Sequence, residues 1–537
     1  MSLKLENCLL YAVTDTSWLR GRTLAQQVEE ALRGGATMVQ LREKELQGEA
    51  LEQEAREILA LCRQYGVPLL INDDVMLAKK IGADGVHVGQ DDMSAAKARE
   101  LLGEDAVIGV TARTVEQAVA AQEAGADYLG SGAVFGTSTK KDAKPMDPAY
   151  FQQICESVSI PVVAIGGVTL DNIRELEGRK MSGFAIVSGI FAAEDIETRT
   201  RDLWKAAQEL CLPGQVSRLK KEILRKRPVV QCITNIVTVN DCANALLAVG
   251  ASPTMAHHPE EMEEFAAVCD ALVCNMGATE SLEAMLAAGK ADTAGPSRPV
   301  VIDPVGCATS SFRRRKCLEL IDAVHPACIR GNGAEIRALA TDHRTSRGVD
   351  DLFLPEKLLE KRKSPAEKNG QSAQETLAGR PTEDSAAQSL KENSAGQFLK
   401  EDYAGQPLAD ISLSEETVRC ARQLSRMTGA IVIASGETDF VVSGDRVYSV
   451  HGGSAWMTRV TGTGCMLSVL LGAFLAVENS ALSAAACCGM MNDCAERAQE
   501  HTAAEHSGTG TFRVHLIDEL SGPIRQQPAM RTEAADD

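Results

Sequence analysis

The segments PLLINDDV (68–75) and GVHVGQDD (85–92) each have the pattern of a short apolar strand that ends in a pair of carboxylates. The same unit of apolar strand, loop and helix recurs through residues 1–195, with the strands LLYAVTD, MVQLREK, PLLINDD, GVHVGQ, VIGVTA, YLGSGAVF, IPVVAIGG and GFAIVSG. Between them, stretches such as LAQQVEEALRGG (24–35) and TVEQAVAAQEAGA (114–126) carry apolar residues every three or four positions, as amphipathic helices do. This pattern predicts strands and helices in strict alternation.

Eight such strand–helix units predict a TIM (β/α)8 barrel, whose active site lies where the C-terminal ends of the strands meet. Four acids fall at that rim on the adjacent third and fourth strands, namely Asp73, Asp74, Asp91 and Asp92. We expect one acid in each pair to be a helix N-cap, because Asp commonly begins the helix after a strand. Two pairs on neighbouring strands would still concentrate negative charge, which favours a bound cation, and we expect Mg²⁺.

Length and charge limit the classes of function. A chain of 537 residues is too long for one hydrophobic core and predicts at least two domains. The net charge of -19 would repel nucleic acid and anionic lipid, so we expect small-molecule substrates and neither a nucleic-acid nor a membrane partner. No apolar run reaches the ~20 residues of a membrane span and Met1 opens no signal peptide, so we expect a cytoplasmic protein. The 16 cysteines, without any C-x-x-C pair, indicate mostly reduced buried thiols rather than disulfides or a zinc site.

The second half of the chain follows a different pattern. It contains buried-looking strands separated by helices, namely VVQCITNIVT, SPTMA, ALVCNMG, PVVIDPV, ACIRGN and AIVIASG. These predict an α/β layered sheet with ligands at the strand ends. We place the barrel in residues 1–212, a linker in 213–226 and the second domain in 227–525. Residues 351–411 are rich in Lys, Glu, Ser and Gln and poor in aromatics, which predicts a disordered insertion.

Cationic and small residues at other strand ends of the barrel indicate two phosphate-bearing ligands. The second strand ends in Arg42 and Lys44, and the sixth runs into Thr137, Thr139 and Lys140. The seventh and eighth strands end in Gly166-Gly167 and Ser188-Gly189, where backbone N–H groups can approach an anion. A tight turn is the other interpretation of the glycine pair. We expect a diphosphate beside the acids and cations, and a monophosphate beside the glycines.

The segment TRVTGTGCMLS (458–468) is the strongest signal in the second domain. A Gly-Thr-Gly turn that opens an apolar helix leaves free N–H groups as an anion hole, although a simple helix start is the alternative. Polar residues at further strand ends favour an anion hole, since they supply donors, acceptors and metal-shell acids for Mg-ATP. These residues are Asp303, Arg330, Asn332, Glu335, Ser435 and Gly436.

The ordered motifs QLREK, NDD, HVGQDD, GVTA, GSGAVFGTSTKKDA, AIGGV and AIVSG resemble thiamine phosphate synthase over about residues 9–195. The resemblance implies that Asp73 and Asp92 bind Mg²⁺, that Arg42 and Lys140 are catalytic, and that Lys44 also contacts the substrate diphosphate. Departure of this diphosphate from hydroxymethylpyrimidine diphosphate leaves a cation, which the nitrogen of hydroxyethylthiazole phosphate captures. The implied substrate-binding residues are Gln40 and Thr111 around the pyrimidine, Thr137, Thr139, Gly167 and Ser188 around the thiazole phosphate, and also Asn72 and Val187. Thr111 and Ala133 stand where family members often have serine and proline.

The second half resembles hydroxyethylthiazole kinase, a ribokinase-like enzyme, through CITNIVTVNDCANALLAVGASPTMAHHPEEM, NMGA, IDPVG, RGNGAEI and TGTGC. The resemblance implies that Arg330, Ser435, Asp303 and Asn332 bind ATP, that Glu335 binds the metal, and that Asn235, Met255 and Gly462 bind substrate. Cys465 stands where ribokinase-like enzymes usually have an aspartate base and thiazole kinases carry cysteine, so the resemblance implies that Cys465 is catalytic. Its place beside a helix N-terminus favours a lowered thiol pKa. Whether it is a base or an anion-hole member stays open. Ala278 replaces a frequent threonine. Family members build the thiazole pocket between subunits of a trimer, which implies a homo-oligomer assembled through the kinase domain.

Together the two halves predict a bifunctional enzyme with Mg²⁺ and ATP as cofactors. The kinase would phosphorylate hydroxyethylthiazole, and the barrel would couple the product to hydroxymethylpyrimidine diphosphate, releasing thiamine phosphate and pyrophosphate. One alternative is a kinase for a different small alcohol, such as hydroxymethylpyrimidine. Another is that one domain is a catalytically silent precursor sensor or structural partner.

Overall fold

The computed structural model describes residues 3, 5–136, 145–292, 298–341 and 413–523. The predicted insertion at 351–411 lies outside these residues, as do Thr137, Thr139 and Lys140. Among the residues described, no helix has both the length and the apolar character needed to cross a bilayer.

The first half forms a barrel. Its strands are β1 (Leu10–Val13), β2 (Met38–Leu41), β3 (Leu69–Asn72), β4 (Gly85–Val88), β5 (Val107–Ala112), β6 (Tyr128–Gly132), β7 (Val162–Ile165) and β8 (Gly183–Ile186). Its helices are α1 (Leu24–Arg33), α2 (Gly48–Gln64), α3 (Val75–Ile81), α4 (Ala95–Leu102), α5 (Val115–Glu123), α6 (Pro148–Ser157), α7 (Ser188–Phe191) and α8 (Ile196–Lys226), with 3₁₀ helices at Leu5–Cys8, Thr16–Trp18 and Ile173–Leu176. These eight described strands pair in parallel and close in sequence order. The predicted TIM barrel is therefore confirmed.

Alternate side chains of each strand face the barrel interior or the surrounding helices, because successive strand residues point to opposite faces. On β1, Tyr11 lies in the interior cluster, whereas Leu10 and Ala12 belong to the layer between barrel and helices. The interior cluster comprises Cys8, Tyr11, Val13, Met38, Leu70, Val107, Tyr128, Val163 and Ala185. A filled interior is normal for this fold and leaves the strand ends as the place for ligands.

The second half is a layered α/β domain. Its strands are β9 (Val229–Ile233), β10 (Ser252–Thr254), β11 (Ala271–Asn275), β12 (Val300–Asp303), β13 (Cys328–Asn332), β14 (Ile431–Ser435), β15 (Thr438–Ser443) and β16 (Arg446–His451). Its helices are α9 (Val239–Val249), α10 (Met262–Ala266), α11 (Leu282–Asp292), α12 (Ser311–Val324), α13 (Gly333–Ala340), α14 (Leu413–Thr428), α15 (Thr463–Val477), α16 (Ala481–Ala504) and α17 (Thr509–Ser521), with 3₁₀ helices at Pro259–Glu261, Thr279–Ser281 and Ala455–Arg459. In the described chain the sheet order is β10-β9-β11-β12-β13-β14-β15-β16.

This sheet confirms the predicted α/β layer and adds a hairpin to it. Strands β9 to β14 pair in parallel, as expected for strands joined by helices. Strands β15 and β16 continue the sheet as an antiparallel pair. The strand ends of β9, β11, β12, β13 and β14 therefore meet at one edge, where the domain's candidate site lies.

Helix α8 connects the two halves and contains the predicted linker, residues 213–226, within one continuous helix. The core of the barrel ends at Cys211, and Leu212, Val216, Leu219 and Ile223 belong to the core of the second half. The helix persists through Pro213 because side chains on both sides of this residue are buried. The division of the chain into domains at this point stays a prediction.

Candidate active sites

The barrel brings the predicted synthase residues of the described chain to one rim. Gln40 and Arg42 come from the end of β2, Asn72 and Asp73 from β3, Asp92 from the loop after β4, Thr111 from β5, Gly167 from the loop after β7, and Val187 and Ser188 from the end of β8. Parallel strands in a closed barrel place all these ends on the same face. Lys44 lies on this side too and is exposed.

Asp73 and Asp92 form a close carboxylate pair at the ends of β3 and β4. Asp73 has a left-handed backbone, with φ of 63°, a conformation that is uncommon for residues other than glycine and that aspartate tolerates better than most. Its Oδ2 accepts a hydrogen bond of 2.5 Å from Asn72 Nδ2. Burial, followed by the neighbouring carboxylate of Asp92, raises the pKa of Asp73 to about 6. The pair is therefore destabilised in its doubly charged form and would gain from a bound cation.

These two carboxylates suit Mg²⁺ as far as the described residues go. Among those residues no group of three or more His, Cys, Asp or Glu side chains could hold a metal, so the protein offers two acids rather than a closed cage. Mg²⁺ commonly uses one or two carboxylates and completes its shell with water and phosphate oxygens. The donor set fits the predicted metal.

The capping expectation holds for one acidic pair and is wrong for the other. Asp74 caps α3, since its Oδ1 accepts a hydrogen bond of 2.8 Å from Leu77 N. Helix α4 is capped by Ser94 instead, which stands directly before the first helical residue. Asp92 lies too far upstream to cap that helix, and its Oδ2 accepts from Gly89 N within the loop.

Arg42 is held in place by two residues of β1's C-terminal loop that sequence analysis did not select. Thr14 Oγ1 accepts from Arg42 N at 2.8 Å and donates to Arg42 O at 3.2 Å. The guanidinium lies 3.6 Å from the Asp15 carboxylate. The strand LLYAVTD ends in Thr14 and Asp15. This polar ending is similar to the acidic endings of β3 and β4, and it was the sequence signal for both residues.

A chain of hydrogen bonds crosses the barrel just below the rim and connects two predicted pyrimidine contacts. Gln40 Nε2 donates to Tyr11 Oη at 2.6 Å, and the Tyr11 and Tyr128 hydroxyls are 3.0 Å apart. His87 places Nδ1 2.8 Å from Tyr128 Oη and Nε2 2.9 Å from Thr111 Oγ1. Burial lowers the pKa of His87 to about 4, so its imidazole is neutral near pH 7. Only the two ends of this chain, Gln40 and Thr111, were predicted as site residues, because Tyr11, His87 and Tyr128 lie outside the motifs that carry the resemblance or were assigned no role in them.

The predicted monophosphate cup is built from glycines in an unusual backbone conformation. Gly166 and Gly167 have φ of 96° and 70°, a region that residues with a Cβ rarely adopt. A Cβ on Gly167 would lie 2.3 Å from the carbonyl oxygen of Gly136, so the loops after β6 and β7 touch here. Val187 and Ser188 begin the short helix α7 nearby on the rim. The assignment of a phosphate to this place stays a prediction.

Cys465 lies in the third position of α15, after Gly462 with its φ of 89°. Its sulfur accepts hydrogen bonds from Asn275 Nδ2 at 3.2 Å and Asn235 Nδ2 at 3.6 Å. Burial and the nearby carboxylate of Asp303 raise the pKa of the thiol. The expectation of a lowered pKa is therefore wrong, because desolvation outweighs the polar groups around the sulfur.

Asp303 is the most deeply buried acid of this site. Its Oδ2 accepts from Asn275 Nδ2 at 2.9 Å and from Ser468 Oγ at 2.8 Å, whereas Oδ1 is buried without a partner among the described residues. Burial raises the pKa of this carboxyl. Asn275 and Ser468, which sequence analysis did not place in the site, thus connect Asp303 to Cys465 and to α15.

Glu335 and Asn332 have a structural role that accounts for part of their motif. They form a capping box at the start of α13, with Glu335 N donating to Asn332 Oδ1 at 2.9 Å and Asn332 N donating to Glu335 Oε2 at 3.0 Å. Burial, followed by the charge of Asp303, raises the pKa of Glu335 to about 7. A buried acid next to a second acid again favours a cation.

Arg330 brings positive charge to the start of α15. Its guanidinium donates to Ser435 Oγ, and a Cβ on Gly464 would lie 2.6 Å from Arg330 Nη1. Only glycine at this position lets the cation approach the free N–H groups of the helix. Met255 is partly buried against the hydrophobic core that contains the apolar side chains of α15. The arrangement can hold a polyphosphate between a cation, a helix start and two acids.

Both halves of the chain are similar to known proteins. A family model described as thiamine monophosphate synthase matches residues 10–190, and one described as the hydroxyethylthiazole kinase family matches residues 220–371 and 398–526. A probable thiamine biosynthetic bifunctional enzyme of Schizosaccharomyces pombe is 30% identical over 96% of this chain and 95% of its own. A thiamine-phosphate synthase of Clostridium novyi is 45% identical over 37% of this chain and 97% of its own. A solved hydroxyethylthiazole kinase protein of Pyrococcus horikoshii is 28% identical, with a TM-score of 0.42, over 59% of this chain and 98% of its own.

Proposed function

The chain belongs to the bifunctional thiamine biosynthetic enzymes, with a thiamine monophosphate synthase half and a hydroxyethylthiazole kinase half, and from this premise we propose how its residues divide the work. The kinase half phosphorylates hydroxyethylthiazole with ATP. The barrel half couples the thiazole phosphate to hydroxymethylpyrimidine diphosphate and releases thiamine phosphate and pyrophosphate. The observation that carries the proposal is the pair of facing acids, Asp73 and Asp92, beside Arg42 at the barrel rim.

In the barrel, the difficult step is the departure of a highly charged diphosphate. Bound Mg²⁺, held by Asp73 and Asp92, would neutralise part of this charge. Thr14 holds the backbone of Arg42 and the Asp15 carboxylate lies 3.6 Å from its guanidinium, so Arg42 is partly preorganised for the leaving group, and preorganised charge makes electrostatic stabilisation effective. Gln40 and Thr111 would orient the pyrimidine. Lys140, Thr137 and Thr139 keep their proposed roles from the resemblance.

In the kinase half, Arg330, Ser435 and the start of α15 would bind the ATP phosphates. Asp303 and Glu335 would hold the metal that accompanies them, since Asp303 Oδ1 lacks a partner among the described residues and both acids have raised pKa values. With its own pKa raised, Cys465 fits a neutral thiol that lines the anion hole better than a thiolate base. Asn235 and Met255 would border the thiazole.

We also propose that the enzyme is a homo-oligomer assembled through the kinase half. Ile236 and Val237, directly after Asn235, are 86% and 67% exposed. Two large apolar side chains this exposed beside a substrate-binding residue favour burial by a second copy of the chain. Sedimentation velocity should show an oligomer that Ile236→Asp dissociates, whereas a wild-type monomer would contradict the proposal.

One assay tests the two activities together. Purified protein receives hydroxyethylthiazole, Mg-ATP and hydroxymethylpyrimidine diphosphate, and thiamine phosphate is measured after oxidation to its fluorescent derivative. ATP-dependent product is expected. The opposite outcome is product that forms only when thiazole phosphate replaces hydroxyethylthiazole and ATP. That outcome would support the synthase assignment of the barrel and contradict the kinase assignment. It is the outcome expected if the second half phosphorylates another alcohol or is catalytically silent.

The variant Asp303→Asn separates the halves within this assay. It should abolish product from hydroxyethylthiazole and ATP while leaving product from supplied thiazole phosphate unchanged. Equal loss in both assays would show instead that the substitution damages the whole chain.

A further inference from the structure

The hydrogen-bonded chain inside the barrel takes one polar side chain from each of five strands. Tyr11 comes from β1, Gln40 from β2, His87 from β4, Thr111 from β5 and Tyr128 from β6. Four of them, all except Thr111, are buried. Barrel interiors at this depth are usually filled by branched apolar residues, and burying polar groups costs free energy unless they are paired. Packing alone therefore does not explain this set.

The backbone around the chain is shaped to admit it. A Cβ on Gly109 would lie 2.2 Å from Tyr128 Cζ, and a Cβ on Gly130 would lie 3.1 Å from His87 Cε1. Two glycines on neighbouring strands thus leave the space that the two rings fill. Tyr11 and Tyr128 also meet edge to face, with ring centroids 5.9 Å apart, so both rings have a defined orientation.

We infer that Tyr11, Tyr128 and His87 are positioning residues of the synthase, which connect Gln40 on one side of the pyrimidine site to Thr111 on the other. The inference rests on the proposed function of the barrel. A pair of rim residues that share one rigid chain of hydrogen bonds cannot reorient independently, so a defect at either end reaches the other. His87 suits the middle of such a chain because each ring nitrogen meets a hydroxyl.

Tyr128→Phe is the central test, because it removes one oxygen and breaks two bonds of the chain at nearly constant shape. We expect kcat/KM for hydroxymethylpyrimidine diphosphate to fall about tenfold, as for the loss of buried hydrogen bonds. KM for thiazole phosphate and the kinase activity of the same chain should not change. Tyr448→Phe is the matched control, since Tyr448 is also fully buried but its hydroxyl has no partner among the described residues.

Double-mutant cycles provide a readout that a merely structural role would not move. Gln40→Ala and Thr111→Ala are each combined with Tyr128→Phe, although Tyr128 lacks a direct bond to Gln40. Losses in kcat/KM that are smaller in the double variants than the product of the single losses support one connected chain. Independent effects, or an unchanged Tyr128→Phe enzyme, overturn the inference while the proposed function stands.

Calorimetry of hydroxymethylpyrimidine diphosphate binding to the full-length variants distinguishes a failure of the positioning role from a failure of the proposed function. Weaker binding by Tyr128→Phe and unchanged binding by Tyr448→Phe support the positioning role. A wild-type protein that neither binds this compound nor forms thiamine phosphate from it would overturn the proposed function, and the inference with it.

Discussion

Cys465 occupies a place where sequence favours an activated thiol, yet burial and the carboxylate of Asp303 raise its pKa. Asp73 and Asp74 are neighbours with identical side chains, but Asp74 caps α3 whereas Asp73 faces a second acid. In both cases the surroundings, rather than the residue type, set the charge state and the role.

The thiol of Cys465 should react slowly at neutral pH. Because its pKa lies above the usual value near 9, the reactive thiolate is a smaller fraction at every pH below that value than in a free thiol. Alkylation by iodoacetamide, measured by mass spectrometry of the Cys465 peptide, should be slower than that of glutathione at each pH through pH 8, and its rate should still increase with pH at pH 9. Fast labelling at pH 7 would show a thiolate and favour a base role for Cys465 over an anion-hole role.

Asp73→Asn should lower the synthase kcat by about 100-fold, the loss seen when one preorganised charge contact is removed from a transition state. The variant should also need a higher Mg²⁺ concentration for half-maximal rate. Asp74→Asn is the control in the adjacent position, and it should keep activity within about twofold because Asn is also a good N-cap. Equal effects of the two substitutions would argue against a metal site at Asp73.

Elements are predicted well where the hydrophobic pattern is long and repeated. The barrel strands follow this pattern, as does the parallel part of the second sheet. The hairpin β15–β16 was not predicted, although TDFVVSGDRVYSV carries alternating apolar residues around a Gly-Asp turn, a recognised hairpin signal.

Gly109→Ala should destabilise the barrel by about 1–3 kcal/mol, the usual cost of overpacking, because the new methyl group would overlap the Tyr128 ring. Gly510→Ala is the control, since a Cβ there meets nothing within 4 Å and the residue lies in α17. Urea unfolding of the two full-length variants, monitored by the loss of synthase activity, measures the difference in stability. Equal midpoints for the two variants would contradict the packing argument.

At the scale of the whole molecule, the two halves share helix α8, which begins in the barrel half and ends at the start of the kinase half. The basic run RLKKEILRKRP suggests an exposed connection, but Leu219 and Ile223 within it belong to the core of the second half. Lys220 is mostly buried, and its Nζ donates to Leu520 O at 2.7 Å near the end of α17. Within the predicted linker, Val216, Leu219 and Ile223 therefore pack in the core of the kinase half, whereas Gln215 still donates to Ser182 O in the barrel.

A kinase fragment should require residues 213–226 to fold. Val216, Leu219 and Ile223 are each fully buried, and each contributes about 1.5–3 kcal/mol relative to exposure, a sum comparable to the whole stability of many domains. A fragment of residues 213–537 should be soluble and phosphorylate hydroxyethylthiazole, whereas a fragment of residues 227–537 should aggregate or unfold. A stable and active shorter fragment would contradict this role of α8.

The sequence by itself determined both fold classes, the family and the rim positions of the charged residues, because strand periodicity and loop motifs are local properties. Only the tertiary structure decided that Ser94 caps α4 in place of Asp91 or Asp92, that Cys465 is a buried thiol, and that Tyr11, Tyr128 and His87 connect Gln40 to Thr111. Charge states and hydrogen bonds depend on groups that are far apart in the chain. These groups meet only when the barrel closes and the second sheet is layered with its helices.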